Sequence, residues 1–140
     1  RAPTEPRQTP PPDALGIRIG MSQKEARGRL EKVGRLLKEE RKRQEVWALD
    51  RDPHFASMIL GFDGEYRVRY VTLAARAGGA GRMRYSDVAD VKGAQQTVGV
   101  NNYKYTWRVA ARGGDRPGYV VVARGTDPQY LSYFSIKKIE

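Results

Sequence analysis

The segment from Ile17 to Glu25 limits what this chain can fold into, because it places the start of a helix. Ser22 is a preferred N-cap residue, and its hydroxyl suits a hydrogen bond from the backbone N–H of Glu25. The Glu25 carboxylate is placed to accept from the N–H of Ser22 in return, which completes a capping box. We therefore predict a short extended entry, a glycine turn at Gly20 and then a helix.

Apolar residues recur along this helix at spacings of four, three and four, at Ala26, Leu30, Val33 and Leu37. Such spacings align side chains on one face, so the helix is expected to bury that face. We predict that the helix runs from Gln23 to about Gly34, which serves as its C-cap. A second short helical or irregular piece is expected over residues 35–43.

After Arg43 the periodicity of apolar residues changes to two, which is typical of β-strands. The predicted strands are Glu45–Asp50, Ala56–Phe62, Tyr66–Ala75, Tyr103–Arg112, Tyr119–Arg124 and Tyr130–Lys138. Asp63-Gly64 accepts positive φ, so the second and third strands are expected to form a hairpin. Gly78, Gly79 and Gly81 predict a loop, and Ser86 is predicted to cap a short helix from Asp87 to about Gln95.

The strand from Tyr103 has the cleanest alternation in the chain. One face carries Tyr103, Tyr105, Trp107, Val109 and Ala111, and the other carries Lys104, Thr106, Arg108, Ala110 and Arg112. Large side chains at period two normally mark burial, so the aromatic row is expected beneath a helix. The predicted fold class is α+β, with an N-terminal helix or helix pair on a small antiparallel meander sheet and a short helix inserted mid-chain. No internal repeat is visible at periods of roughly 20–50 residues.

Proline usage divides the chain into two parts. Five of the eight prolines fall within the first twelve residues, where no apolar pattern exists. We predict a proline-rich linker or tail over residues 1–14 and a single α+β domain over residues 15–140. The tail is either a stalk that holds the domain away from an upstream membrane anchor or an end without a role. Because the chain begins at Arg1 without a methionine, we expect either a processed form or a piece of something longer, with a lost signal or anchor segment as one option.

The charge balance predicts a basic surface. Lys and Arg number 26 against 16 Asp and Glu, for a formal net charge of +10. The four charges within residues 1–14 cancel, so the surplus lies on the folded part. The chain has no cysteine, which excludes disulfides, thiolate metal sites and a cysteine nucleophile. No apolar run approaches the roughly 18 residues that a membrane-spanning helix needs.

Enzymatic chemistry has little support. The only histidine, His54, follows Asp52-Pro53 in a turn, where Asp50, Asp52 and His54 are candidates for a small acid–imidazole cluster. Carboxylates in such turns more often accept backbone N–H groups than take part in catalysis. A metal site has no second imidazole and no thiol available. We therefore predict a protein that is not an enzyme and holds no metal or cofactor.

The best candidate binding residues are cations on two predicted strands. They are Arg67 and Arg69 on one strand and Lys104, Arg108 and Arg112 on another. If the strands are neighbours, these side chains merge into a positive sheet face that attracts acidic proteins, anionic lipid or cell-wall polymers. Nucleic acid is the alternative partner, but alternation places the aromatic row opposite Lys104 and Arg108, so one face does not offer both.

The helix start also resembles a known family. The residues that carry the resemblance are Ile19, Gly20, Met21, Ser22, Glu25, Ala26, Leu30 and Gly34. They are similar to the first helix of the SmpA/OmlA (BamE-like) outer-membrane lipoprotein family, which shares this signature with β-lactamase-inhibitor-like domains. The resemblance implies helices packed on a small antiparallel sheet whose open side binds other proteins of the cell envelope. This chain departs from the lipoproteins in lacking a cysteine for a lipid.

The sequence as a whole predicts a non-enzymatic interaction domain of the cell envelope. We expect it to dock an acidic or membrane-associated partner through a basic sheet face and loops. A periplasmic or extracytoplasmic location follows from the resemblance, with an upstream membrane anchor as an option. The alternative function is a nucleic-acid-binding module that uses the basic helix and sheet.

Overall fold

The computed structural model describes residues 9–40, 43–76, 83–111 and 117–139. A small sheet pairs β1 (Asp13–Ala14) with β2 (Ile17–Arg18). The large sheet contains β3 (Arg35–Glu40), β4 (Gln44–Ala48), β5 (Phe55–Phe62), β6 (Val68–Ala75), β7 (Gln95–Gly99), β8 (Asn102–Val109), β9 (Tyr119–Gly125) and β10 (Tyr133–Lys138). The helices are α1 (Gln23–Leu30) and α2 (Tyr85–Val88), followed by a 3₁₀ turn at Val91–Gly93. The eight strands are all antiparallel to their neighbours, in the order β3-β4-β5-β6-β10-β9-β8-β7.

The predicted α+β fold class is wrong. Strands hold 52% of the described residues and helices 13%, and α1 is the one described helix longer than a single turn or so. The large sheet has eight strands, arranged as two four-stranded meanders side by side. It is not a small sheet beneath a pair of helices. The prediction gave too much weight to apolar spacing after Leu30, where strand pairing decides the conformation instead.

The first helix has its predicted N-cap at Ser22, but the Glu25 carboxylate accepts from Arg29 at 3.3 Å, and the helix ends early. The Ser22 hydroxyl accepts from the Glu25 N–H at 3.2 Å, and Ala26 and Leu30 are buried. At Gly34 the backbone passes so close to β4 that an added Cβ would lie 1.8 Å from the Ala48 carbonyl oxygen. The chain turns there into β3, so the helical or irregular piece predicted over residues 35–43 is a strand instead.

The middle of the chain also differs from the prediction. Arg84, not Ser86, is the N-cap of α2, and the helix ends at Val88. Asp90 then caps the 3₁₀ turn by accepting the Lys92 N–H at 3.0 Å, a local bond that competes with continued helix. The helix predicted to reach Gln95 is therefore wrong, and the residues from Gln95 form the edge strand β7, which the sequence analysis missed. The glycine loop at 78–81 lies outside the described residues.

Six strands match the predicted ones within a few residues: β4, β5, β6, β8, β9 and β10. The β5–β6 hairpin is confirmed, and its turn is organised by Asp63. The Asp63 carboxylate accepts from the N–H groups of Glu65 and Arg67 at 2.8 and 3.0 Å. Gln129 and Tyr130 donate in the same way to Asp127 before β10, at 2.8 and 3.0 Å.

The core lies on the face of the sheet that α1 and α2 cover. The aromatic row of β8 is on this face as predicted, with Trp107 fully buried and Tyr103 and Tyr105 half-buried. The Trp107 indole donates to the Asp90 carbonyl at 3.0 Å, and the Tyr105 ring lies 4.7 Å from that of Tyr85. These contacts hold α2 and the 3₁₀ turn against the sheet.

The structure contains an internal repeat that the sequence does not reveal. A helix followed by a four-stranded meander occurs twice, as α1 with β3 to β6 and as α2 with β7 to β10. The last strands of the two units, β6 and β10, pair antiparallel with Thr72 opposite Ser135. Two equivalent strands paired this way are related by a local twofold axis, which passes near Thr72 and Ser135.

Backbone hydrogen bonds support the repeat. The Gln23 N–H donates to Tyr66 and the Val68 N–H to Met21, at 2.9 and 2.8 Å. The second unit has Tyr85 donating to Gln129 and Leu131 donating to Met83, at 3.1 and 3.0 Å. In each unit the residue before the helix also forms an isolated antiparallel β-bridge with a residue before the last strand. These bridges pair Ser22 with Arg67 and Arg84 with Tyr130. Trp47 and Trp107 occupy matching positions in the third strand from the twofold axis.

A buried carboxylate attaches α1 to the sheet. Glu45 is 2% exposed, and Gln23 and Arg27 of α1 donate to it at 2.8 Å. The Trp47 indole donates to its other oxygen at 3.1 Å. The Glu45 carboxylate raises the pKa of Arg27, chiefly through the side-chain hydrogen bond. Because three donors satisfy this carboxylate, its burial is tolerated and it fixes the position of the helix.

We predict that Glu45→Ala lowers the free energy of unfolding by about 2 kcal/mol, because it leaves the half-buried Gln23 amide and the buried Trp47 indole without their acceptor. The matched control is Glu39→Ala, which removes the other carboxylate bound to Arg27 but is 60% exposed. That exposed pair contributes less than about 0.5 kcal/mol. Urea unfolding of both variants measures the difference, and equal losses would contradict the assignment of Glu45.

The Asp63 turn predicts a dependence of stability on pH. Backbone hydrogen bonding, first from Arg67, holds the pKa of Asp63 below its usual value. A carboxyl with a lowered folded-state pKa stabilises the fold above its unfolded-state pKa and loses this contribution as the pH falls through the folded-state value. Asp63→Asn should therefore be less stable than the wild type near neutral pH, with a difference that shrinks as the pH falls below the ordinary Asp pKa of about 3.9. Urea unfolding at neutral and at acidic pH checks this, and a constant difference would contradict it.

Candidate functional site

The face of the large sheet opposite α1 and α2 is uncovered in the described residues. We call its part on β6, β10, β9 and β8 the open face. Its outward side chains are Tyr70, Thr72, Ala74, Tyr133, Ser135, Lys137, Val120, Val122, Arg124, Lys104, Thr106 and Arg108. These side chains are half-buried or exposed, whereas their neighbours along each strand point into the core.

Four cations lie on the open face: Lys104, Arg108, Arg124 and Lys137. Lys104 is directly opposite Arg124, while Val120 stands between Arg108 and Lys137 in a second row. With strands about 4.8 Å apart and about 3.4 Å per residue along each strand, the four Cα positions fall within a patch of about 10 by 14 Å. No outward position on these four strands is acidic, so the strands themselves supply no carboxylate to compensate the positive charge of the patch.

The arrangement of charges is unfavourable for the isolated domain. Like charges directly opposite each other on neighbouring strands destabilise a sheet, and Lys104 with Arg124 is such a pair. The Arg124 guanidinium lies over the ring of Tyr133, 5.3 Å from its centroid, which offsets part of this cost. Tyr133 is 44% exposed, so the stacked pair faces solvent.

The structure brings together only part of the predicted site. Lys104 and Arg108 are on the open face, as the alternation predicted, and both are exposed. Arg67 lies in the turn before β6, where its guanidinium donates to the Gly20 carbonyl at 3.0 Å. Arg69 occupies the extra position of a bulge between Val68 and Tyr70 and is half-buried. Arg112 lies outside the described residues.

The predicted site is only partly correct because it assumed that the strand after Arg67 lies next to the strand that carries Lys104. β10 and β9 separate β6 from β8, so Arg67 and Arg69 do not merge with Lys104 and Arg108. The cations that do join them, Arg124 and Lys137, were missed. The alternation of buried Tyr119, Val121 and Ala123 already signals that Arg124 points outward. Side-chain alternation predicts which face a residue lies on, but it does not predict the order of the strands in the sheet.

The first unit presents a neutral surface at the matching position. Tyr70 occupies the place of Tyr133 and covers Gly61, where the second unit has Arg124. The Tyr70 hydroxyl donates to the Gln44 side chain. Burial is the main cause of the raised pKa of Tyr70, so its hydroxyl stays protonated further into the alkaline range. The cations of the sheet face are therefore concentrated on the second unit.

The predicted acid–imidazole cluster has the arrangement of a structural turn. Asp52 accepts the backbone N–H groups of His54 and Phe55 at 2.9 and 2.7 Å. Asp50 instead forms a surface ion pair with Arg35 at 3.0 Å. Among the residues that the structure describes, no group of three or more potential metal ligands is found. No described helix is long and apolar enough to cross a membrane.

A second concave site lies beside the start of α1. This cleft has a volume of about 480 Å³ and is lined by Gln23, Glu39, Glu40, Arg43, Gln44, Glu45 and Tyr66. Its deepest carboxylate, Glu45, is already satisfied by Gln23, Arg27 and Trp47. The cleft therefore reflects the attachment of α1, and the open face is the stronger candidate for binding.

Comparisons with known proteins give no family. No protein-family model, no curated protein and no solved structure matches this chain. The similarity to the SmpA/OmlA family therefore stays a prediction from the first helix.

We predict that Gly61→Ala destabilises the protein by about 1–3 kcal/mol, because the added methyl overpacks the face. Its Cβ would lie 2.0 Å from the Tyr70 ring, which must then leave its position. Gly64→Ala is the matched control, since a Cβ there meets nothing within 4 Å. Urea unfolding should show little change for the control, and an equal loss for both variants would contradict close packing of Tyr70 on Gly61.

Proposed function

We propose that this protein is a non-enzymatic binding domain that docks an acidic protein partner on its open face. The cluster of Lys104, Arg108, Arg124 and Lys137, with no outward carboxylate on the same strands, carries the proposal. Four close positive charges attract an acidic surface and orient its approach. The partner's carboxylates would also relieve the repulsion between Lys104 and Arg124, which the free domain bears.

A binding role fits the chemistry of the open face better than catalysis. Its outward side chains are amines, guanidiniums, hydroxyls and small apolar groups, with no carboxylate or imidazole to serve as a general base. The wide, nearly flat surface of adjacent strands suits a macromolecule more than a small substrate. Location in the cell envelope, held by an upstream anchor, remains part of the proposal through the resemblance of the first helix.

Single-stranded nucleic acid is the second candidate partner. One observation favours it: Tyr133 is exposed beside Arg124 and Lys104, so this surface offers an aromatic ring together with cations. Alternation within β8 alone places aromatic and basic side chains on opposite faces, whereas Tyr133 comes from β10, two strands away. A base stacked on Tyr133, with phosphates at Lys104 and Arg108, is the form that such binding would take.

The proposal is tested with a charge-reversal pair, Lys104→Glu and Arg124→Glu, and a fluorescent polyglutamate peptide as the acidic probe. We expect the double variant to lose at least about tenfold in affinity, because attraction becomes repulsion in one of the two rows of the patch. Fluorescence anisotropy at low salt measures the affinity. A matched double variant, Lys24→Glu and Lys32→Glu on the exposed side of α1 and the following turn, changes the net charge equally and should bind nearly as well as the wild type.

An equal loss in both double variants would show that only net charge attracts the peptide, and would contradict a site on the open face. A labelled oligothymidine run in the same assay separates the two partners. If Tyr133→Ala weakens the oligonucleotide at least about fivefold and leaves the polyglutamate unchanged, the nucleic-acid function replaces the proposed one.

A further inference from the structure

The large sheet has two edges, formed by β3 and β7, and within the described part of the chain only β3 carries features that protect it against pairing with another strand. β3 carries Arg35, Lys38, Glu39 and Glu40, and its register with β4 shifts between Leu36 and Lys38. Charged side chains and bulges of this kind block the addition of a further strand. The β3 edge is therefore closed to partners.

The β7 edge has none of these protective features. Its five residues, Gln95 to Gly99, are all exposed and include no charge and no proline. Its register with β8 runs without a shift from Gln95 opposite Thr106 to Gly99 opposite Asn102. Val98 is 59% exposed and Val100, in the following turn, is 95% exposed. Such an uncharged, regular edge is a template for another strand.

The hairpin geometry determines which backbone groups are available. A two-residue turn, Val100-Asn101, joins β7 to β8, and it closes on the pair Gly99–Asn102. In antiparallel strands hydrogen-bonded pairs alternate with non-hydrogen-bonded ones, and a two-residue turn closes on a hydrogen-bonded pair. Thr97 therefore bonds to Lys104 of β8, whereas the N–H and C=O groups of Gln96 and Val98 point to the open edge.

The positive charges beside the β7 edge indicate which kind of strand would pair with it. Lys104 lies one strand inward, opposite Thr97, and the next strand adds Arg124 beside it. A second copy of this chain would bring another formal charge of +10 and a second set of these cations to the same place. A strand with carboxylates would instead be attracted to them. The charge distribution therefore favours an acidic strand over self-association.

We propose that an extended acidic segment of a partner protein pairs with β7 and adds a ninth strand to the sheet. This inference rests on the proposed function and names how the partner docks. Main-chain bonds to Gln96 and Val98 supply affinity for an extended segment. Alternate side chains of the added strand lie on the open-face side, where glutamates reach across Thr97 towards Lys104.

The probe is a synthetic peptide of about eight residues in which glutamate alternates with threonine, which places all carboxylates on one side of a strand. A peptide of the same composition with its glutamates in one block is the matched control. Backbone amide hydrogen exchange of the full chain is followed by NMR with each peptide. We expect slowed exchange at Gln96 and Val98 with the alternating peptide only, and no change at Thr97, which is bonded to β8 in either state.

Two proline variants test the same edge by affinity. Val98→Pro removes the outward N–H without touching the ladder to β8, and we expect about a tenfold loss for the alternating peptide. Val100→Pro makes the same chemical change in the turn, away from the edge, and should stay within about twofold of the wild type. The amide exchange of the unmodified chain gives an independent answer if Val98→Pro does not fold.

The outcomes separate this inference from the proposed function. One outcome is that the peptide binds without slowing amide exchange at Gln96 and Val98, and that the double variant Lys104→Glu with Arg124→Glu abolishes this binding. This result would overturn strand addition and support docking on the open face. If neither the alternating nor the block peptide binds, both strand addition and the proposed function are overturned. Another outcome is that the free chain forms a dimer, which Val98→Pro converts to a monomer. That result would show that a second copy occupies the β7 edge, and would overturn the proposal of an acidic partner strand.

Discussion

The antiparallel pairing of β6 with β10 is the interaction on which the rest of the structure depends. It joins two helix-and-meander units into one eight-stranded sheet and makes the buried side chains of both units a continuous core. Thr72 and Ser135 face each other at its centre, with their hydroxyl oxygens 3.2 Å apart. Because this pairing places β10 and β9 between β6 and β8, it separates Arg67 and Arg69 from Lys104 and Arg108. The cations of β8, β9 and β10 share one surface through the meander of the second unit.

The two units use the same backbone plan with different chemistry. At one inward position the first unit has Glu45, which binds Gln23 of α1, and the second has Tyr105, which contacts Tyr85 of α2. A hydrogen-bonded carboxylate and an aromatic pair thus perform the same task of holding a helix on the sheet. On the outward side the neutral first unit and the basic second unit differ more, so the proposed binding surface is asymmetric although the fold repeats.

Much of the local structure followed from the sequence. The Ser22 cap, the Asp63-Gly64 hairpin and the burial of Trp107 were predicted because each depends on residues within a few positions or on simple alternation. The errors arose where a distant partner outweighed local preference. Leu37 fits a helical spacing, yet it lies in β3, because the chain at Gly34 passes directly against Ala48 and then pairs with β4. The residues from Gln95 to Gly99, polar and without clear alternation, form a strand because β8 supplies the hydrogen bonds.

The amino-acid sequence by itself determined the start of α1, the extent of most strands and the outward direction of Lys104 and Arg108, since caps, turns and side-chain alternation are local properties of the chain. Tertiary structure decided the repeat, the order of the strands and therefore the site. Arg67 and Arg69 were expected beside Lys104, but two strands intervene, and Arg124 and Lys137 take their place. Strand order depends on which hydrogen-bonding edges meet across long sequence separations, and the free energy of that choice is shared among many side chains of the core.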